Sequence, residues 1–100
     1  MATPYTLGVW KVLPGQSDEF VSAWLEMAEW TKENAPGASW AKLLRDTADE
    51  NRFVSFGPWV SHEAIDAWRE LDGFAERVGR MRELLDGFEP QTLDVAAEVG

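Results

Sequence analysis

A chain of 100 residues can build one hydrophobic core and buries roughly 60–70% of its unfolded surface, so residues 1–100 read as a single domain that association would help. Hydrophobic residues at 45% and charged residues at 27% exclude a disordered chain, and a net charge of −9 argues against nucleic acid or an anionic membrane surface as partner. Without cysteine there is no disulfide or thiolate chemistry, and without a long apolar run or a signal-peptide layout the expected location is cytoplasmic.

Tyr5 to Leu13 (YTLGVWKVL) is rich in β-branched, aromatic and aliphatic residues and stops at Pro14-Gly15, the pattern of a strand closed by a turn. Ser17 is placed to cap a first helix whose opening turn carries Asp18 and Glu19, and Phe20, Trp24, Met27 and Ala28 recur there at helical spacing. Asn34-Ala35-Pro36-Gly37 ends that helix, and residues 38–46 (ASWAKLLRD) read as a second strand. After the polar connection at 47–51, residues 52–60 (RFVSFGPWV) read as a third strand.

Ser61 is the expected cap of a second helix, with Ile65, Trp68 and Leu71 on its apolar side. Asp72-Gly73 is expected to bend it, and Phe74, Val78, Met81 and Leu85 continue the stripe until Glu89-Pro90 breaks the helix. Residues 92–99 (TLDVAAEV) then give a short final strand.

The order β-α-β-β-α-β predicts an α+β, ferredoxin-like domain. Right-handed crossovers put the first and third strands in the middle of a four-stranded antiparallel sheet with both helices on one face. Leu7, Val9 and Leu13 alternate onto one face of the first strand, and Gly8, Trp10 and Val12 onto the other. The third strand divides into Val54, Phe56, Pro58 and Val60 against Phe53, Ser55, Gly57 and Trp59. Both faces are apolar, so the one without helices needs a partner, most simply a second copy of the chain. Six tryptophans are also many for a small monomer to hide, and some are expected at a ligand cavity or an interface.

The Pro-Gly openings before the first helix and second strand, the Leu43-Leu44-Arg45 run, and the stretch Trp59, Ser61, Glu63, Ala64 and Trp68 together resemble the antibiotic biosynthesis monooxygenase (ABM) family. The resemblance covers most of the chain. It implies a dimeric α+β barrel in which two sheets pack face to face, with a pocket between each sheet and its own helices. It also implies oxygenation of an aromatic or polycyclic small molecule without metal or flavin, or else haem breakdown, quinone handling or no known reaction. The alternative from a different class is a non-catalytic small-molecule-binding or accessory barrel. Trp59 falls where family members carry a pocket tryptophan. The haem-degrading pattern wants an asparagine where Gly8 stands and a histidine near Val78. The polyketide-oxidising pattern wants an asparagine at Ser55 and a tyrosine at Ile65.

On this reading Trp59, Ser55 and Arg80 are the candidate catalytic residues, and Gly8, Trp10, Gly57, Trp68 and Phe74 the candidate substrate-binding ones. Gly8 and Gly57, on adjacent central strands, remove side chains where a core is normally filled; a ligand takes that space unless Trp24 or Trp68 plugs it. Among Arg77, Arg80 and Arg82, Arg80 is the choice for holding a phenolate or carboxylate, against a solvated face paired with Glu76, Glu83 or Asp72. The lone His62 is either a base or an exposed residue at a helix start, and Lys11 either an interface cation or a lysine snorkelling at a strand end. One histidine and no cysteine argue against a transition-metal site, and the resemblance implies that no cofactor is needed, so neither metal nor cofactor is expected.

Overall fold

A computed structural model describes residues 3–100. Alternation along β1 (Pro4–Val12) acts as its sequence dictates: Gly8, Trp10 and Val12 are buried while Lys11 is exposed. The long helix α1 (Ser17–Asn34) follows, then the short β2 (Lys42–Arg45) and β3 (Arg52–Pro58). Two helices, α2 (His62–Arg69) and α3 (Phe74–Arg82), lead into β4 (Leu85–Asp94). The strand order is β2-β3-β1-β4 and every pair is antiparallel, which is the ferredoxin-like α+β arrangement with β1 and β3 central.

Register decides which side chains meet. Gly8 lies opposite Ser55 on one side and Pro90 on the other, and Trp10 opposite Phe53 and Phe88. A slip of one residue would reverse both faces, so this pairing is what turns the tryptophans toward the helices. Phe20 of α1, fully buried, sits 5.2 Å from Trp10 and 5.2 Å from Phe53 by ring centroids, and Val12, Met27 and Met81 complete that cluster. Burying each such side chain contributes roughly 1.5–3 kcal/mol. Ala35, Trp59 and Ile65 form a second cluster at the other end of the helix layer.

The opposite sheet face carries Tyr5, Leu7, Val9, Val54 and Phe56, all half-buried, and no helix packs on it. Trp40, 46% exposed, stands edge-on to both Tyr5 and Phe56 there, and Leu44 is 50% exposed. Among the described residues no helix is long and apolar enough to cross a membrane.

Several boundaries differ from the sequence expectation. The second strand begins at Lys42 rather than residue 38, because residues 38–41 cross over Gly57 and touch the sheet through a single bridge, Ala38 to Trp59. The expected bend at Asp72-Gly73 is a break: Gly73 takes φ +92°, in the left-handed region that favours glycine, and a new helix starts after it. That helix ends at Arg82, so Leu85 continues no helical stripe but opens a ten-residue strand. Pro90 therefore breaks nothing. It sits in β4 at the sheet edge, where a residue without an N–H is tolerated. Ser61 caps α2 as expected, accepting from the Ala64 N–H at 3.1 Å. Ser17 caps nothing; its hydroxyl donates to the Glu50 carbonyl at 3.2 Å and tethers α1 to the β2–β3 turn.

Candidate functional site

Between the sheet and the helices lies a cavity of about 520 Å³. Its floor is the inward face of three strands, with Gly8 and Trp10 from β1, Ser55 and Trp59 from the β3 side, and Phe88 and Thr92 from β4. Trp24, Met27 and Thr31 of α1 roof one side, and Trp68, Phe74 and Val78 close the other. Trp59 and Trp68 tilt against each other at 4.9 Å, Phe74 stands edge-on to Trp68 at 4.8 Å, and Trp10 stacks on Phe88 at 4.1 Å. The walls are thus mostly aromatic faces and edges, held in place by one another.

Three of the lining indoles are each also fixed by one hydroxyl. Trp10 Nε1 donates to Ser55 Oγ at 2.8 Å, Trp59 Nε1 to Thr6 Oγ1 at 3.0 Å and Trp68 Nε1 to Thr31 Oγ1 at 3.0 Å. A hydroxyl that accepts from an indole keeps its own proton to give, so Ser55, Thr6 and Thr31 remain donors at the cavity wall. These three pairs satisfy the indoles without any carboxylate. The charged residues in the lining are Lys32, Arg69 and Arg82, and Arg69 Nη2 donates to Thr92 Oγ1 at 3.1 Å.

The structure brings Trp59, Ser55, Gly8, Trp10, Gly57, Trp68 and Phe74 to this one cavity. The space left by the two glycines is used differently from the expectation, and neither Trp24 nor Trp68 fills it. A Cβ on Gly8 would meet the Trp10 indole at 3.0 Å and the Phe88 ring at 3.2 Å, so Gly8 seats the Trp10–Phe88 stack. A Cβ on Gly57 would come within 2.5 Å of the Trp40 carbonyl oxygen, so Gly57 admits the crossing backbone of residues 40–41. The opening lies beside these fillings, not inside them.

Arg80 is a correction. It points away from the cavity and pairs with Glu76 at 2.6 Å on the exposed side of α3, one helical turn apart, as the solvated-face alternative has it. The cations that do reach the cavity are Lys32, Arg69 and Arg82, of which only Arg82 belongs to the arginine group noted in the sequence. Which side of α3 meets the sheet, and the pairing of Arg69 with β4, depend on tertiary placement. His62 stands outside the lining, exposed at the start of α2, with Nε2 2.7 Å from Asp94 Oδ1. Lys11 is exposed on the uncovered sheet face.

An antiparallel ferredoxin-like sheet with an aromatic cavity under its helices defines a class of small α+β proteins that enclose a ligand-sized space. Residues 5–80 match the family model for antibiotic biosynthesis monooxygenase, and the chain belongs to that family. Among solved structures it resembles SnoaB, a cofactor-independent oxygenase from Streptomyces nogalater, with a TM-score of 0.88 at 22% identity over 99% of this chain and 97% of that one. A mutant of SnoaB superposes with a TM-score of 0.89 at 22% identity over 97% and 96% of the two chains. A protein from Caulobacter crescentus CB15 gives 0.85 at 23% identity over 96% and 92%. At these identities the likeness is one of fold. No curated protein matches the chain.

Proposed function

We propose that the cavity is the substrate site of a cofactor-independent monooxygenase of the ABM type, acting with O₂ on an aromatic or polycyclic, polyketide- or quinol-like molecule, in a homodimer formed through the open sheet faces. The observation that carries this reading is the cavity itself: about 520 Å³, inside the roughly 300–1,000 Å³ of small-molecule sites, and walled by Trp10, Trp59, Trp68 and Phe74. Membership of the family supports the reaction type, and the apolar uncovered sheet face supports the dimer.

The chemistry asks for little from the chain. An anthrone-type substrate loses a proton from its activated CH₂, and the resulting anion passes an electron to O₂. The two radicals join through a C–O bond. Loss of water then leaves a carbonyl carbon, so one oxygen atom stays in the product and the other departs as water with the two C–H hydrogens. All four electrons that reduce O₂ come from the substrate carbon, and the balance needs no external reductant. The chain's part is to orient the ring, exclude bulk water and offer hydrogen bonds to the developing oxyanion. In the proposal Trp59 shapes the site and the Ser55 hydroxyl faces the substrate oxygen.

A second reading, a non-catalytic small-molecule-binding barrel, draws on the lining's lack of any carboxylate or histidine among the described residues, which leaves no obvious general base. The same lack of histidine weighs against haem degradation. Oxygen-electrode measurements with anthrones and hydroquinones separate these readings. We expect stoichiometric O₂ uptake by the wild type and about a tenfold loss in Trp59→Phe, which keeps an aromatic wall but loses the indole that positions the substrate ring. Saturable binding with no O₂ uptake would leave the binding barrel.

A further inference from the structure

Acidic residues outnumber Lys and Arg in this chain by 18 to 9, yet every charged side chain lining the cavity is basic: Lys32, Arg69 and Arg82. Among the described residues the ion pairs are Arg52 with Asp46, His62 with Asp94 and Arg80 with Glu76, so none of the three cavity cations has a carboxylate partner. Their position at helix ends accounts for part of this. Each lies in the last turn of its helix, where the exposed carbonyls favour a cation. It does not account for the choice of face, because Arg80 shares the last turn of α3 with Arg82, pairs with Glu76 and faces a separate groove between α1 and α3.

Arg69 is the best placed of the three. It follows Trp68 at the end of α2, and its one hydrogen bond among the described residues goes to the neutral hydroxyl of Thr92. Thr92 lies opposite Thr6, whose Oγ1 accepts from the Trp59 indole. The guanidinium, itself solvent-exposed, is thus tethered near the aromatic end of the cavity with no carboxylate paired to it and most of its five N–H donors free of protein partners among the described residues. A planar fork in that condition suits a carboxylate.

We propose that the cavity admits aromatic molecules that carry a carboxylate, with Arg69 holding the carboxylate and Arg82 and Lys32 adding attraction at the cavity edge. The inference rests on reading the cavity as an aromatic small-molecule site and adds the substituent that decides which aromatic enters. A matched pair of ligands tests it: anthraquinone-2-carboxylate and its neutral carboxamide, measured by equilibrium dialysis against the full chain at low salt. The wild type is expected to bind the carboxylate tighter by about tenfold, the scale of one charge-assisted contact, with the preference shrinking as salt is added. Arg69→Gln should bring the carboxylate down to the carboxamide level while leaving carboxamide binding intact, which also verifies folding. Arg80→Gln removes the same charge away from the cavity and should keep the preference. Equal binding of the two ligands by wild type, or an equal effect of both substitutions, overturns the carboxylate assignment and leaves the aromatic site standing. Failure of wild type to bind either ligand overturns both.

Discussion

Gly57 offers the most direct test of how the cavity wall is built. An added Cβ at this position would stand 2.5 Å from the carbonyl oxygen of Trp40 and 3.2 Å from both Cα and Cβ of Ala41. These neighbours are mostly backbone and cannot swing aside as a long side chain would. Gly57→Ala must therefore push residues 38–41 off the sheet, straining the bridge between Ala38 and Trp59 and the packing of Trp40 on Phe56. Overpacking of this kind costs about 1–3 kcal/mol, and the lower backbone entropy of the unfolded alanine variant offsets about 0.4–1 kcal/mol. The net loss of about 1–2 kcal/mol should lower the melting temperature by roughly 5–15 °C in a domain of this size. Gly79→Ala is the control, since nothing lies within 4 Å of its added Cβ and it sits inside α3. Helix propensity should make that variant more stable by about 0.5–1 kcal/mol. Thermal melts followed by far-UV circular dichroism compare the two. A Gly57→Ala protein that melts within 2 °C or so of wild type would refute the close approach as the reason for this glycine.

Ser55→Ala removes the acceptor of a buried Trp10 N–H and should cost about 1–3 kcal/mol in urea denaturation, whereas Ser55→Thr keeps the oxygen and should cost less; equal losses would mean that the hydroxyl is not what matters. Val9→Glu places a carboxylate in the middle of the uncovered sheet face, opposite Val54 and Glu89, and should weaken the proposed dimer roughly 100-fold or more in sedimentation equilibrium; an unchanged dimer would move the interface elsewhere. Asp46 has its pKa held below the ordinary 3.8, first by the Ala48 N–H and then by Arg52. A depressed carboxyl adds stability above its unfolded pKa and loses it as the pH falls through the folded one. Wild type should accordingly melt above Asp46→Asn at pH 7, with the gap closing below pH 3.8; a gap that persists under full protonation would assign the effect to packing.

The element order was readable because each strand has its own marks: alternation in 5–13 and 52–60, a Pro-Gly stop after the first, and Ser61 placed to cap the helix that follows. Boundaries failed where local pattern and tertiary contact disagree. Leu84 and Leu85 extend the spacing of Val78 and Met81, so nothing local announces that the helix stops at Arg82 and that Leu85 pairs with Val12. Pro90 looks like a helix breaker until the strand order shows it on the sheet edge. The 38–41 stretch has strand-like composition but crosses a glycine instead of lying in the sheet plane.

The aromatic half of the site was legible for a reason the polar half was not. Strand parity alone puts Gly8 and Trp10 on the face shared by Ser55, Gly57 and Trp59, and the sheet then carries all five to one cavity. Parity has period two and tolerates no intermediate direction, so once β1 and β3 are recognised the assignment follows. A helix spreads its residues over a full circle. Arg77, Arg80 and Arg82 point three ways, one over the Trp30 ring, one to Glu76 and one to the cavity, and the rotation of α3 that decides this is set by Met81 packing into a core drawn from other elements. Arg69 needed more still, the register of a strand whose start the sequence did not disclose. The residues that select a ligand by charge are therefore those whose placement comes last, and their placement is what Arg69→Gln and Arg80→Gln compare.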